Sequence, residues 1–395
     1  MAGMTGQGLL VLLDSAPKTW GSREELHLRF SRALMARGVR PVLVFSEELP
    51  VKLQSEYKSN GIEVTAASYK NGIFHFYWEL GKLIKKHSAT AVHIAFFNYF
   101  SLIPWMARLN GVRYIFYHER NPGELRAKSW KLKLLRLRTR AATLPVTRVI
   151  AISEFIRQQL MKVGIPGGKI FLVYNGVDTQ HYSPDPSARK RLAVKFSIRP
   201  GELVVSTLSY LLPHKNVDVV LEACGQLAKR GVIVRLFVIG DGWMRSELEA
   251  LAIELGISDR VHWLGHILDP VPVLQSSDIF IMASVGEGFG LALAEAMACG
   301  ATAIATRSGA LTEIAENGLS ALLVPPRDVN ALAGAIQQLF VDEQWRLEIG
   351  RRGLECVRRH FSADASIESL VKVYESMLSS DSHQSGAFTL KSSKW

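Results

Sequence analysis

The sequence predicts an α/β protein made of two Rossmann-like, doubly wound parallel-sheet domains, and three observations carry that expectation. The chain has 395 residues, too many for one ordinary core and suited to two domains of about 200 residues each. Short apolar runs alternate with amphipathic stretches through both halves, the pattern of strands covered by helices on both faces. Between the halves, Pro184-Asp-Pro186, the basic Arg189-Lys-Arg191 and Pro200-Gly201 interrupt the alternation.

In the first half, Gly8 to Asp14 reads as a buried strand, Arg23 to Arg37 as an amphipathic helix and Arg40 to Phe45 as the next strand. Further strands are expected over Gly61 to Ala67, Ala91 to Phe96, Val112 to Tyr117, Arg148 to Ile152 and Lys169 to Val173. The second half opens with strand Leu203 to Leu208, helix Asn216 to Arg230, strand Val232 to Ile239 and helix Met244 to Leu255. Later, Asp278 to Ala283 and Ala301 to Ala305 are strands, and Leu291 to Cys299 is the crossover helix between them. The last helical pattern, Ser362 to Leu378, begins on a plausible serine cap. Residues 380–395 are polar, weakly patterned and expected to be disordered.

Composition narrows the setting. A hydrophobic fraction of 48% is ample for two cores. The three cysteines, Cys224, Cys299 and Cys356, lie far apart without paired spacing, which implies neither a disulfide framework nor a zinc site. The first residues lack a basic segment followed by a long apolar run, so no secretory signal is expected. The longest apolar stretches are too short or too charged to cross a bilayer. A cytoplasmic protein, soluble or bound at the membrane surface, is the expectation. The net charge of +11 calls for an anionic partner, which charge alone does not identify. No zinc-finger, homeodomain or RNA-recognition signature accompanies it, and no nucleic acid is expected.

The stretch Glu287-Gly-Phe-Gly-Leu-Ala-Leu-Ala-Glu295 organises the second half. A helix that starts after a strand offers unpaired backbone N–H groups and the positive end of its dipole, which places Phe289, Gly290 and Leu291 to hold a phosphate oxygen. Glu287 stands in the loop beside that anion site, and Glu295 lies about two turns further into the helix. As isolated acids the two would read as a solvated loop glutamate and a paired helix glutamate.

With its flanks, the stretch resembles the donor-site signature of the retaining glycosyltransferases of family 4 (glycosyl transferases group 1). Downstream, Ser308-Gly-Ala-Leu-Thr-Glu313, Asn317 to Pro326 and Asp328 to Ala333 follow the family pattern; upstream, so do Val238-Ile-Gly-Asp-Gly242 and Arg260-Val-His-Trp-Leu-Gly265. The resemblance implies the GT-B fold, two Rossmann-like domains facing across a cleft. The expected boundaries are 1–183 for an acceptor-side domain, 184–200 for the linker, 201–361 for the nucleotide-sugar domain and 362–379 for a final helix that crosses back to the first domain.

The resemblance also implies roles. Lys215 neutralises the diphosphate of the donor, as suits a compact ammonium. Ser209 stands where most members carry an arginine, a departure that removes one cation from the site, with Arg307 or His214 as candidate replacements. Glu287 holds sugar hydroxyls and Glu295 the ribose, while the base falls on Trp263 to His266. His118, in Tyr117-His-Glu-Arg120, faces the transferred sugar. Gly21 remains from the family's glycine loop, here Trp20-Gly-Ser-Arg23, and Tyr174-Asn-Gly-Val-Asp178 is expected to be structural. The implied reaction is retaining transfer of a hexose, mannose as a guess from the family's habit, to a glycan or lipid-linked glycan. No Asp-X-Asp occurs, in agreement with a metal-independent enzyme without a cofactor.

Arg126 to Ala141 is a helix candidate with Trp130, Leu134, Leu137 and Ala141 on one stripe among seven bases. Two readings stand open: the stripe lies on an anionic membrane, or it packs on the sheet while the bases are solvated. Two rival functions stay open as well, a nucleotide-sugar-binding relative without transferase activity, motivated by Ser209, and a basic nucleic-acid-binding protein.

Overall fold

In a computed structural model, the structure describes residues 8–13, 16–18, 21–68, 70, 72–95, 101–119 and 129–378. The tail 380–395, Trp20, Arg120 and the helix candidate's first residues, Arg126 to Lys128, lie outside them.

The first half alternates strand and helix: β1 (Gly8–Leu13), α1 (Ser22–Met35), β2 (Arg40–Phe45), α2 (Val51–Ser59), β3 (Glu63–Ala66), α3 (Ile73–Lys86), β4 (Ala89–Ala95), α4 (Ile103–Leu109), β5 (Tyr114–Glu119), α5 (Ser129–Ala142), β6 (Arg148–Ala151), α6 (Glu154–Lys162) and β7 (Ile170–Leu172). The strands form one seven-stranded sheet in the order β3-β2-β1-β4-β5-β6-β7. After α7 (Ala188–Phe196) the second half runs through β8 (Leu203–Leu208), α8 (Val217–Lys229), β9 (Val234–Ile239), α9 (Arg245–Glu254), β10 (Val261–Gly265), α10 (Val271–Leu274), β11 (Ile279–Met282), α11 (Leu291–Ala298), β12 (Thr302–Thr306), α12 (Leu311–Ile314) and β13 (Leu322–Val324). Its six strands order as β10-β9-β8-β11-β12-β13. The chain closes with α13 (Val329–Val341), α14 (Glu343–His360) and α15 (Ala363–Leu378).

The expected doubly wound class is therefore present twice. In both sheets the chain winds outward from β1 or β8 to one side and then returns to wind to the other, so ligand-binding loops collect at the carboxyl ends near that reversal. Leu10, Leu43, Val92 and Ile115 are fully buried in the first sheet, as are Val204, Val205, Phe280 and Ile304 in the second. That double-sided burial explains why the strands read as continuous apolar runs rather than alternating ones.

Helix starts follow local chemistry. Ser153 accepts the Ile156 N–H at 3.1 Å, Asp328 that of Ala331 at 2.9 Å and Asp342 that of Trp345 at 2.8 Å, each satisfying an orphan first-turn donor. The Ser362 hydroxyl likewise accepts the Ala365 N–H at 3.3 Å.

The chain divides into two compact units, one of Met1–His118, Arg138–Val149 and Ile367–Trp395, the other of Glu119–Leu137 and Ile150–Ser366. Within the first, Tyr374 of α15 is buried, its ring stacked on Phe116 with centroids 4.1 Å apart. Arg37, just beyond α1, bonds Glu375 and Glu368 of the same helix at 2.9 Å each. Within the second unit, the Val177 N–H donates to the Phe361 carbonyl and the Ala363 N–H to that of Val177, both at 2.8 Å. A Cβ on Gly176 would come within 2.5 Å of the Ala363 Cα, so only glycine lets these two segments pair.

Candidate active site

Lys215, Ser209, Glu287, Phe289, Gly290, Leu291 and Glu295 all belong to the second unit and gather around the carboxyl ends of β8 and β11. Lys215 ends a short 3-10 turn, Pro213–Lys215, that follows β8. The Asn216 side chain donates to the Ala283 carbonyl at 2.8 Å, and the Val285 N–H donates to the His214 carbonyl at 2.9 Å. These bonds tie the β8 loop to the β11 loop. They set the Lys215 ammonium 2.5 Å from the Glu287 carboxylate, with both side chains largely withdrawn from solvent.

The β12 loop supports Glu287 from the other side. The Ala310 N–H donates to the Glu287 carbonyl at 3.0 Å, and the Gly286 N–H to the Ser308 hydroxyl at 3.1 Å. Phe289 is buried beside Tyr174 and Phe361, with ring centroids 6.3 and 5.7 Å away. Its ring anchors the loop while its backbone leads into α11. At the cap, Gly290 holds φ +105°, and a Cβ there would fall 2.5 Å from the Leu311 side chain. Glycine is needed for both reasons. The first N–H groups of α11 thus point out at the strand ends, within the same loop cluster as Lys215, an arrangement chemically suited to an anion.

Glu295 lies deeper than the sequence suggests. Its side chain is buried, and burial pushes its carboxyl up to about 7, a rise that a hydrogen bond from Tyr182 partly offsets. Ser209 is half-buried, with its hydroxyl oxygen withdrawn from solvent and without a hydrogen-bond partner among the described residues. His214 and Arg307, the candidate replacements for the family arginine, are both exposed.

The acceptor-side residues belong to the first unit. His118 stands at the end of β5 as expected, the strand's next-to-last residue, paired with Ala95 of β4 and buried. Its ring lies 5.3 Å from that of His93, which contacts the Tyr374 hydroxyl through Nδ1. Gly21 is exposed at the start of α1, where its carbonyl accepts the Glu25 N–H at 3.1 Å. Helix α5 leaves Leu134, Leu137 and Ala141 exposed, while Thr139 and, just past its end, Thr143 are buried, so these described members of the apolar stripe do not pack on the sheet. Among the described residues, no helix is long and apolar enough to cross a membrane.

One group of contacts escaped the sequence reading. The Ser153 hydroxyl donates to the Gly288 carbonyl at 2.6 Å, inside the stretch that precedes α11. Glu313 accepts the N–H groups of Glu154 and Phe155 at 2.7 Å each and a bond from the Tyr174 hydroxyl. Burial raises the Glu313 carboxyl, against the lowering effect of those bonds, and raises the Tyr174 phenol. Glu313 was visible as a motif member, but Ser153 was not singled out, and nothing local showed that these segments meet across more than a hundred residues.

Comparison with known proteins defines the class. Residues 26–181 match the family model Glycosyltransferase Family 4, and residues 188–355 match Glycosyl transferases group 1. The chain thus matches, in order, the two domain models of the family 4, group 1 glycosyltransferases, and its two parallel-sheet α/β domains match those of the GT-B fold. Among individual proteins, it is 29% identical over 234 residues to the N-acetyl-alpha-D-glucosaminyl L-malate synthase of Bacillus anthracis, 59% of this chain and 60% of that one. It is also 29% identical to a GDP-mannose-dependent alpha-(1-6)-phosphatidylinositol monomannoside mannosyltransferase of Mycobacterium tuberculosis, over 55% of this chain and 58% of the relative. These matches span less than two thirds of the relatives' own length. The crystal structure of Anabaena HepE in complex with UDP superimposes with a TM-score of 0.79 at 19% identity, covering 94% of this chain and all of that one.

Proposed function

We propose that the protein is a retaining glycosyltransferase that moves a hexose from a nucleotide-diphosphate sugar to a glycan or lipid-linked glycan. The observation that carries the reading is the Lys215–Glu287 pair, 2.5 Å apart in the loop cluster at the α11 N-terminus. The pair sets a cation for the diphosphate beside a carboxylate for sugar hydroxyls, and the helix start adds backbone N–H groups for a phosphate oxygen. Glu295, in its deprotonated form, accepts from the ribose hydroxyls. The HepE complex with UDP and the GDP-mannose-dependent relative support a nucleotide-sugar donor.

In this reading the bond between the anomeric carbon and the diphosphate breaks as the acceptor hydroxyl attacks on the same face. The acceptor proton passes to the leaving phosphate oxygen, and Lys215 with the α11 N–H groups holds the negative charge that develops. These groups supply the positive charge without a metal or other cofactor. The Ser209 hydroxyl, without a partner among the described residues, donates to a phosphate oxygen where the family pattern places a guanidinium. An anionic membrane surface is the setting for a lipid-linked acceptor, consistent with the outward leucines of α5.

The test is transfer from a panel of UDP-, GDP- and ADP-sugars to glycan and lipid-linked acceptors, with the anomeric configuration of the product read by NMR and EDTA present in a parallel arm. Product of retained configuration, formed equally with EDTA, supports the reading. Donor binding without transfer to any acceptor would favour the inactive relative that Ser209 suggests.

A further inference from the structure

The outer layer of the first unit carries an apolar surface that the donor chemistry does not use. The sheet order moves from β3 to β4 and on through β5 and β6 in one direction, so right-handed crossovers place α3, α4 and the part of α5 from Arg138 that belongs to this unit side by side on one face. Their contacts follow: the Tyr77 hydroxyl accepts the Leu102 N–H at 3.2 Å, and the Trp105 indole donates to the Ala141 carbonyl at 3.0 Å. On the outside of this layer Phe74 is 87% exposed and Trp78 57%, one helical turn apart on α3. Leu102, Trp105 and Leu109 form the neighbouring stripe at α4, with Leu109 76% exposed, and Leu144 beyond α5 continues it.

Exposed leucines scattered singly need no explanation, but two adjacent stripes that present two tryptophans and a phenylalanine do. Bases outnumber acids around them, with Lys86 paired to Glu63 of β3 at 3.7 Å. Over residues 73–86, 101–110 and 138–144 stand Lys82, Lys85, Lys86, Arg108, Arg138 and Arg140 against the single acid Glu79, which is paired with His75 at 3.1 Å. The Lys82 ammonium sits 3.2 Å from the centre of the Trp78 ring, so the α3 stripe runs from apolar rings into bases.

We propose that this α3–α4 face docks on the surface of an anionic lipid bilayer, with Phe74, Trp78 and Trp105 in the headgroup region and the surrounding bases against lipid phosphates. Aromatic rings with a polar edge favour that depth, and clustered bases near it are drawn to anionic headgroups. A second copy of the chain fits poorly, because face-to-face pairing would set bases against bases. The inference deepens the acceptor half of the proposed function and rests on it only for the purpose of docking; vesicle binding and donor binding are measured separately.

The experiment is co-sedimentation of the full chain with phosphatidylcholine vesicles, with and without phosphatidylglycerol, at about 50 mM and about 500 mM salt. Retention on phosphatidylglycerol vesicles at low salt, weakened by salt and reduced about tenfold or more in the Phe74→Ser/Trp78→Ser double variant, is the expected result. A Lys82→Gln/Lys85→Gln variant should lose part of the retention and show a shallower salt dependence. Folding of each variant is checked by its melting temperature and its shift with nucleotide sugar. Absence of retention, or equal retention of wild type and the Phe74/Trp78 variant, overturns the proposal. So does a wild-type dimer that the double variant dissolves while vesicle retention stays unchanged, since the face would then belong to a second copy. A donor-induced shift that persists when vesicles are not bound sinks the docking alone and leaves the transferase reading standing.

Discussion

The Lys215 ammonium lies 2.5 Å from the Glu287 carboxylate, each on a loop that follows a strand of the second sheet. Without a donor, each neutralises the other in a largely buried setting, and removing one leaves the other uncompensated. Lys215→Ala is therefore expected to lower kcat/KM by about a hundredfold or more, as loss of a group that stabilises developing charge does. Glu287→Gln keeps the shape and is expected to lower kcat with a smaller effect on nucleotide affinity. Steady-state kinetics with a fixed acceptor, alongside calorimetry with free nucleoside diphosphate, separates the two.

Glu295 yields a pH prediction with two opposed arms. Its carboxyl is raised from an ordinary 4.5 to about 7, so the folded state holds a proton that the unfolded chain releases from about pH 4.5 upward. Stability from this group is greatest below pH 4.5, falls as pH rises, and is fully lost above about 7, a change of the order of 3 kcal/mol. If Glu295 holds the ribose as proposed, it does so in its deprotonated form, and donor affinity should rise through the same window. Glu295→Gln is expected to flatten the stability profile and to abolish the pH-dependent gain in affinity, as read from melting temperatures and calorimetry between about pH 5 and 8. An unchanged stability profile in the variant would show that another group sets it.

The Ser153 hydroxyl has two partners, accepting from the Ile156 N–H and donating to the Gly288 carbonyl. Ser153→Ala is expected to cost about 1–2 kcal/mol in urea unfolding, the range for a lost cap. Because Gly288 precedes α11, the variant should also weaken donor binding; a purely local cap would leave that affinity unchanged.

Gly290→Ala tests the cap of α11. A Cβ at φ +105° within 2.5 Å of Leu311 adds backbone strain to overlap, for a loss of about 1–3 kcal/mol and of most donor affinity. A Leu311→Ala/Gly290→Ala pair should regain only part of it, because φ stays unfavourable.

Much of the fold was legible. Strands buried on both faces spell continuous apolar runs, and Arg40 to Phe45 and Leu203 to Leu208 come out with the expected ends. The expected strand Val112 to Tyr117 starts later and runs on to Glu119, because pairing with β4 extends the ladder past residues whose polarity suggested a loop. That extension carries His118 into the sheet. The candidate site was named from the sequence because Glu287, Glu295 and Lys215 stand in recognisable local patterns, and the structure brings Lys215 and Glu287 together. What those patterns omit is depth: nothing local tells that Glu295 faces the interior. The described α5 stripe residues, Leu134, Leu137 and Ala141, had the period of a packed face yet lie outward, since periodicity marks a face without saying what covers it. The Ser153–Gly288 and Glu313–Glu154 contacts depend on how distant loops meet, which short-range sequence patterns do not encode.

The most direct test of the central claim is a thermal-shift and calorimetric series with UDP, GDP, ADP and their sugars on the wild type and Lys215→Ala. A ligand that binds only the folded state raises the melting temperature, by an amount equivalent to about 2.7 kcal/mol at a hundred times its Kd. The account predicts a shift with one nucleotide family, larger with the sugar attached, and lost in Lys215→Ala. No shift with any of the nucleotides, or a shift that Lys215→Ala leaves untouched, would contradict the assignment of this loop cluster as a nucleotide-sugar site.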